Sequence, residues 1–462
     1  MRNYDDCKTI IKYISSCVIL SLEILVYWYV WTNYYNGVLK FPFWRRGNWL
    51  MVALYASILL FFLRTYGGLK IGYLKKENII LSQVLALFFT NSITYVQIAL
   101  IDKKFHNILI MMGITALDII LVVIWALLFE NVYRYFFPPR KLLIIYGNYP
   151  IFHIMDKINT REDKYQISTT VHISQGLKKI IKLAEDFDGV VIGDITAHER
   201  NKLLKVFFEK NIRVYAIPKI SDILIRTSTE LNLFDTPLML SRNTGLQIEQ
   251  KIIKRLIDIM FSVAGLLLSS PLFLLIAVAI KCTDGGKIIY KQERYTLNKK
   301  VFMIYKFRTM CSDAEKDGVP RLAQQEDTRI TRIGKILRAS RLDELPQLYN
   351  ILIGDMSIVG PRPERPEIAE GYEEEIPEFA YRLKVKAGLT GYAQLYGKYN
   401  TTPYDKLKLD LTYILNYSLL LDLKLIFTTP KILLMKESTE GIASGQITAT
   451  LENNQNEKIE FK

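Results

Sequence analysis

The sequence predicts an α-helical membrane domain, an α/β middle domain of Rossmann type, and an α+β domain that meets the membrane through a re-entrant helix. Three observations lead there. Four apolar segments crowd the first 135 residues, strand- and helix-length patterns alternate from Lys141, and an apolar run broken at Ser270-Pro271 carries basic residues on both flanks. At 462 residues the chain exceeds one ordinary core. The expected divisions are 1–135, 140–240 and 250–435, with the re-entrant helix at 254–281 and a polar, disordered tail at 436–462.

Composition narrows the function. The formal net charge of +14 suits anionic lipid surfaces or phosphorylated ligands, and the apolar N-terminal third argues against nucleic acid. Cys7, Cys17, Cys282 and Cys311 form no CxxC pair, which is the pattern of reduced thiols and not of a zinc site or disulfide framework. The four histidines, His106, His153, His172 and His198, do not cluster, so histidine-based chemistry is not expected. The first apolar segment lacks a small-residue cleavage site near its end, so no cleaved signal is expected.

The membrane segments read as Tyr13 to Trp31, Trp49 to Leu63, Ile79 to Ile101 and Ile108 to Phe129, the second being short for a ~20-residue span. Trp28, Trp31, Tyr34, Tyr35, Trp44 and Trp49 bracket the first turn as an interfacial belt. Basic residues at the N-terminus, around Lys75 and after Arg134 favour both ends of this domain facing the cytosol. Glu23 and Asp118 fall inside apolar segments; no polar company marks a transport path, so carboxyls satisfied by neighbouring helices are expected.

From Lys141 the pattern gives strands at Leu142 to Tyr146, Gly189 to Ile192 and Ile212 to Ile217. Helices are expected at Gly176 to Phe187 and Lys202 to Lys210. The turn after the first strand holds Gly147 alone, where a dinucleotide fingerprint needs three glycines, so a cofactor-free domain is expected. Tyr404 and Lys408 form a YxxxK far from any glycine-rich turn, which weakens a reductase or dehydratase reading.

Pro271, after Ser269 and Ser270, removes a helical hydrogen bond in mid-segment, and serine hydroxyls are at hand for the freed carbonyl. Lys251, Lys254 and Arg255 precede the segment; Lys281, Lys287 and Lys291 follow it. Both flanks prefer the cytosolic side, so helix–break–helix re-entry is expected over a fifth crossing.

Val301 to Met310 alternates like a strand, with Lys306 and Arg308 on one face with Phe302 and Ile304. Those cations suit either edge protection or phosphate binding. Ser340 to Leu352 reads as a helix start in which Asp343 would be the N-cap. Arg329, Arg332, Lys335, Arg338 and Arg341 crowd ahead of it, and Arg362 is held between prolines, a presentation suited to bidentate phosphate contact. Adjacent carboxylates disfavour each other's charge unless cations or a metal compensate. One could then attack phosphorus while the other holds the metal.

In one order the chain carries Lys254-Arg255-x-x-Asp258, the Ser270-Pro271 break, KFRTM, DTRITRIGKILR, LDELPQL, GDMSIVGPRP and GLTGYAQ. Over about Lys251 to Leu434 this resembles the bacterial sugar transferases, the polyprenyl-phosphate hexose-1-phosphate transferases that start surface-polysaccharide synthesis. Their larger members also have four transmembrane helices and a Rossmann-like domain. The resemblance implies a monotopic phosphoglycosyl transferase domain in an inner-membrane, multi-pass protein with its catalytic part in the cytoplasm. It implies Asp343 as nucleophile, Arg338 as its partner, and Glu344 as ligand of Mg²⁺. Lys306, Arg308 and Arg362 are implied phosphate ligands, and Thr390 and Gln394 substrate-binding residues. The implied partners are a UDP-hexose, with glucose ahead of galactose, undecaprenyl phosphate and membrane lipid; UMP would be released, and the oligomeric state is left open. A glycosyltransferase releasing UDP and a non-catalytic assembly protein are the alternatives. Ala387 stands where the family usually has proline.

Overall fold

The computed structural model describes residues 7–147, 152–233, 235–241, 245–311, 329–397 and 401–433. The tail expected to be disordered lies outside these described residues. Contacts divide the chain into two units, Met1–Pro218 and Lys219–Lys462.

The first unit opens with α1 (Lys8–Val30), which runs through a π-helical turn at Trp31–Tyr35 into the short α2 (Asn36–Val38). α3 (Arg46–Tyr66), α4 (Lys76–Asp102) and α5 (Ile108–Phe136) follow. These four spans, and a fifth helix in the second unit, are long and apolar enough to cross a membrane; the chain is a membrane protein. The second span is not short. Polar ends extend α3 to 21 residues, about 31 Å at helical rise, which matches a bilayer core.

Ser15, Ile19, Glu23, Tyr27, Trp31 and Tyr35 recur every four residues, and all are buried. The expected aromatic belt is therefore only partly interfacial. Trp28, Trp44 and Trp49 are exposed, whereas Trp31 and Tyr35 turn inward, and the Trp31 indole N–H donates to Asn48 Oδ1 at 3.0 Å. Tyr27 stacks on Tyr55 with ring centroids 3.9 Å apart. Helical phase, not aromatic content, decides which rings face the bundle. The expected lack of polar company for Glu23 and Asp118 is also corrected. Thr90, Asn91 and Thr94 are buried in the same bundle, Tyr55 donates to Asn91 at 3.0 Å, and Asn91 donates to Thr115 at 2.8 Å.

β1 (Arg140–Tyr146), α6 (Phe152–Asn159), β2 (Tyr165–His172), α7 (Leu177–Ala184), β3 (Gly189–Ile192), α8 (Ala197–Glu209) and β4 (Val214–Ala216) complete this unit. The strands form one parallel sheet in the order β2-β1-β3-β4. The α/β alternation is present, with one strand more than expected. β2 escapes a hydrophobic-pattern reading because it is a polar edge strand in which only Val171 is buried. A side chain at Gly147 would stand 2.8 Å from the Asp194 carbonyl, so close packing accounts for this lone glycine.

The second unit starts with α9 (Ile220–Arg226) and a hairpin of β5 (Thr229–Leu233) and β6 (Thr236–Leu240). The division by contacts falls at Pro218. Ile220 and Ile223 of α9 pack with Ala369, Phe379, Leu407 and Leu411. α10 (Ile248–Asp284) leads to an antiparallel pair, β7 (Ile289–Tyr295) and β8 (Val301–Phe307). α11 (Arg332–Ser340), α12 (Gln347–Ile353), β9 (Ser357–Val359) and α13 (Pro366–Glu375) come next. β10 (Gly388–Thr390) pairs in parallel with β9, and α14 (Tyr392–Tyr396), α15 (Pro403–Leu415) and α16 (Leu419–Leu433) close the unit.

The expected break at Pro271 is absent as a gap in helix: α10 is continuous for 37 residues. Pro271 cannot donate to the Leu267 carbonyl, but the Ser270 hydroxyl does, at 2.8 Å, and Ser269 donates to Gly265 O at 2.6 Å. Ser270 thus replaces the bond the proline deletes. At about 55 Å, α10 is longer than a bilayer core is thick. Its first turns belong to the soluble body.

Candidate active site

The Lys254-Arg255-x-x-Asp258 motif ties α10 to everything behind the site. Lys254 Nζ meets Asp422 Oδ2 at 2.6 Å and Tyr413 Oη at 3.1 Å, all buried. Arg255 donates to the carbonyls of Ile351 (2.6 Å) and Leu352 (2.7 Å), capping the end of α12. Asp258 Oδ1 accepts from Ser357 Oγ and the Ile358 N–H of β9, at 3.0 and 2.9 Å. The apolar helix is thereby locked to α12, which follows the carboxylates, and to β9 and α16.

Asp343 is not an N-cap. α11 ends at Ser340, Arg341 takes left-handed backbone (φ 54°), and Leu342–Glu344 form a 3-10 turn before Pro346 caps α12. The left-handed residue reverses the chain so that both carboxylates stand at the junction of two short helices. β8 supplies the facing cation. Asn350 of α12, fully buried, accepts from the Tyr305 N–H at 3.0 Å and donates to Met303 O at 2.8 Å, fixing β8 beside α12. β8 ends at Phe307, whose side chain is buried with Leu337, so Arg308 lies one residue beyond the strand. Its backbone N–H donates to Ile288 O, and its side chain is half-buried.

Lys306 Nζ and Arg362 Nη2 both donate to Glu344 Oε1, at 2.9 and 3.1 Å. Burial works to raise the Glu344 pKa, but Lys306 and Arg362 outweigh it and hold this carboxyl well below the usual range. Asp343 differs. Among the described residues its carboxylate has no hydrogen bond or ion pair; burial pushes its pKa up, with Lys306 opposing and Glu344 adding. Arg338 is near enough to favour the Asp343 charge, yet its Nε donates to Thr309 Oγ1 at 2.9 Å, so no direct pair forms. One carboxylate is pinned, and its neighbour is left available.

A cleft lined by Arg294, Ile304, Lys306, Glu344, Gln347, Arg362, Pro363 and Gly388 opens beside the pair. Arg362 remains 44% exposed, leaving most of its fork for an incoming group, while its carbonyl is held by Arg382 Nη2 at 3.0 Å. Arg382 in turn pairs with buried Asp410 at 2.8 Å. Thr390 and Gln394 do not line this cleft. Thr390 Oγ1 lies 3.0 Å from Thr429 Oγ1 of α16, and the Gln394 amide donates to Leu389 O at 3.3 Å. The Ala387 N–H donates to Thr296 Oγ1 at 3.2 Å, a bond that proline could not make.

Sequence reasoning missed Arg294, Gln347 and Asn350, and named Arg341 only as one of the cluster of cations ahead of the carboxylates. Arg294 donates to Pro363 O at 3.1 Å, and Arg341 acts electrostatically on both carboxylates. Gln347 and Asn350 sit three residues apart in LDELPQLYN, the spacing that puts both on one helix face, and this was the available signal.

No group of three His, Cys, Asp or Glu side chains that could cage a metal occurs among the described residues. Mg²⁺ shared with a diphosphate needs only one or two carboxylates. Glu344 keeps Oε2 clear of the two cations, next to the unpaired Asp343, so the donors fit such an ion.

Residues 249–436 match the family model described as bacterial sugar transferase. The chain is 42% identical over 185 residues to a UDP-N-acetylgalactosamine-undecaprenyl-phosphate N-acetylgalactosaminephosphotransferase of Aeromonas hydrophila, covering 39% of this chain and 44% of that one. It is 42% identical over 202 residues to a UDP-glucose:undecaprenyl-phosphate glucose-1-phosphate transferase of Klebsiella pneumoniae, covering 43% and 42%. The match thus spans less than half the length of these two relatives. An exopolysaccharide production protein, PSS, of Rhizobium leguminosarum is 39% identical over 199 residues, 41% of this chain and 97% of that protein. On these matches the chain belongs to the bacterial sugar transferase family.

Proposed function

We propose that the chain moves hexose 1-phosphate from a UDP-hexose to undecaprenyl phosphate, starting a capsular or exopolysaccharide. The observation that carries this is the division of labour between the adjacent carboxylates: among the described residues, Glu344 is bound by two cations and Asp343 by none. A carboxylate oxygen of Asp343 attacks the sugar-bearing phosphorus; the bond to the UMP oxygen breaks, and UMP leaves. An oxygen of undecaprenyl phosphate then attacks the same phosphorus, the acyl-phosphate bond breaks, and Asp343 returns as a carboxylate.

Lys306 and Arg362 face the diphosphate and neutralise charge as the UMP oxygen leaves, an effect strongest in a water-poor site. Arg338 biases Asp343 toward its ionised, nucleophilic form. Glu344 would hold Mg²⁺ together with phosphate oxygens, and the ion would supply charge neutralisation there. α10 brings the site to the lipid. Basic flanks at both ends support re-entry from the cytoplasmic face of the inner membrane, with the acceptor's phosphate approaching beside Lys254-anchored turns.

Glucose is the first donor to test, supported by the activity for which the Klebsiella relative is named; galactose and N-acetylgalactosamine complete the panel. Membranes containing the chain are incubated with labelled UDP-sugars and the lipid is extracted. Release of UMP with a lipid diphosphate sugar, lost in Asp343→Asn, is the expected result. Release of UDP would instead identify a glycosyltransferase, and turnover surviving in Asp343→Asn would point to an assembly role.

A further inference from the structure

The foot of the membrane bundle in the first unit gathers cations from three separate stretches of chain. Lys12 of α1 lies 4.0 Å from the ring centre of Tyr73, in the α3–α4 connection, and Lys164, just before β2, lies 5.2 Å from the same ring. Lys8 stands over Tyr133 and Phe137 at 5.7 and 5.1 Å, at the end of α5. Arg161 donates to the Tyr73 carbonyl at 2.6 Å and is paired with Asp163 through two 2.8 Å bonds. Arg140 is within electrostatic reach of Lys12.

Asp163, the acidic group acting on Lys164, is already engaged by Arg161. Lys12 and Lys164 have no carboxylate partner among the described residues. Burial, then Arg161, Lys12 and Lys8, push the Lys164 ammonium down to about 8. Two ammonium groups sharing one aromatic ring repel each other, and an anion between them removes that cost.

Position selects the anion. Lys12 stands near the start of a membrane span, Tyr73 is 64% exposed, and the next α1 residues, Tyr13 and Ile14, are 69% and 58% exposed. A phosphate carried on acyl chains satisfies the cations and the adjoining apolar surface together, which a soluble phosphate does not. We infer that Lys12, Lys164 and Tyr73 form a headgroup site for an anionic phospholipid at the foot of the membrane bundle. This site is independent of the transfer reaction.

The test titrates full-length purified protein in detergent with phosphatidylglycerol or phosphatidylcholine and counts bound lipid by native mass spectrometry. Phosphatidylglycerol should bind on the order of tenfold more tightly, given the gain per basic residue at a lipid surface. The Lys12→Gln/Lys164→Gln double variant should lose this preference and the Lys12→Arg/Lys164→Arg variant should keep it. In native protein, phosphatidylglycerol should also slow acetylation of Lys164, a readout that needs no variant to fold. A preference retained in the glutamine variant, or no protection of Lys164, overturns the inference. Displacement of the lipid by millimolar inorganic phosphate overturns it in favour of a soluble anion.

Discussion

Lys306 Nζ lies 2.9 Å from Glu344 Oε1, joining a strand that ends one residue later to the turn that carries Asp343. Through this contact the cation holds one carboxylate while lending its charge to the other. Replacing it separates positioning from chemistry.

Lys306→Met should lower turnover by roughly 10²–10³, the usual loss for one charge-stabilising group at a phosphoryl or acyl centre. It also removes the strongest charge favouring ionised Asp343, so the acid limb of the residual rate should move to higher pH. A limb that stays in place, measured as UMP release against pH, would contradict the electrostatic link.

Asp343→Asn offers a stability test with a definite sign. Burial raises the Asp343 pKa in the folded chain, so its contribution to stability is complete below the unfolded value of about 3.9 and is lost as pH rises through the raised folded value. The asparagine variant should therefore melt higher than native protein at pH 7, and the difference should close near pH 4. Lower melting at pH 7 would remove the burial argument.

Glu344 carries the opposite sign. Its lowered pKa contributes stability above about pH 4.5, lost as pH falls through the folded value. Glu344→Gln should lower the melting temperature at pH 7, leaving Lys306 and Arg362 facing each other without their shared anion, and should weaken any Mg²⁺ dependence of UMP release.

Asn350→Ala deletes two partly buried bonds that a fully buried side chain makes to β8. The expected cost is about 2–3 kcal/mol, since both the Tyr305 N–H and the Met303 carbonyl lose a partner. Turnover should fall with no change in the acid limb, because no charge near Asp343 is altered; thermal melts and pH–rate profiles check both.

Lys254→Met leaves Asp422 buried without its cation, a change that costs about 3–5 kcal/mol in comparable pairs. The Lys254→Met/Asp422→Leu double variant should recover part of that loss. Comparison of the two melting temperatures decides whether the motif's lysine is there for packing of α10, as its burial indicates.

Much of this was legible in the order of residues. Apolar runs near bilayer length located the four N-terminal spans, since length and hydropathy are local properties. Period-two and helical patterns located three strands of the parallel sheet; β2, polar and at an edge, left no such trace. Seven motifs in one order pointed to Asp343 and its arginines, and Ser270-Pro271 foretold the hydroxyl that replaces a lost helical bond.

Tertiary structure alone decided the roles within that set. Arg338, Arg362 and Lys306 look alike as cations, but only Lys306 and Arg362 reach Glu344, because β8 pairing and the Arg382 clamp aim them there. Left-handed backbone at Arg341 turned an expected helix cap into an open carboxylate, and helical phase sent Trp31 inward. Such outcomes depend on distances between residues far apart in the chain, and periodicity records only near neighbours.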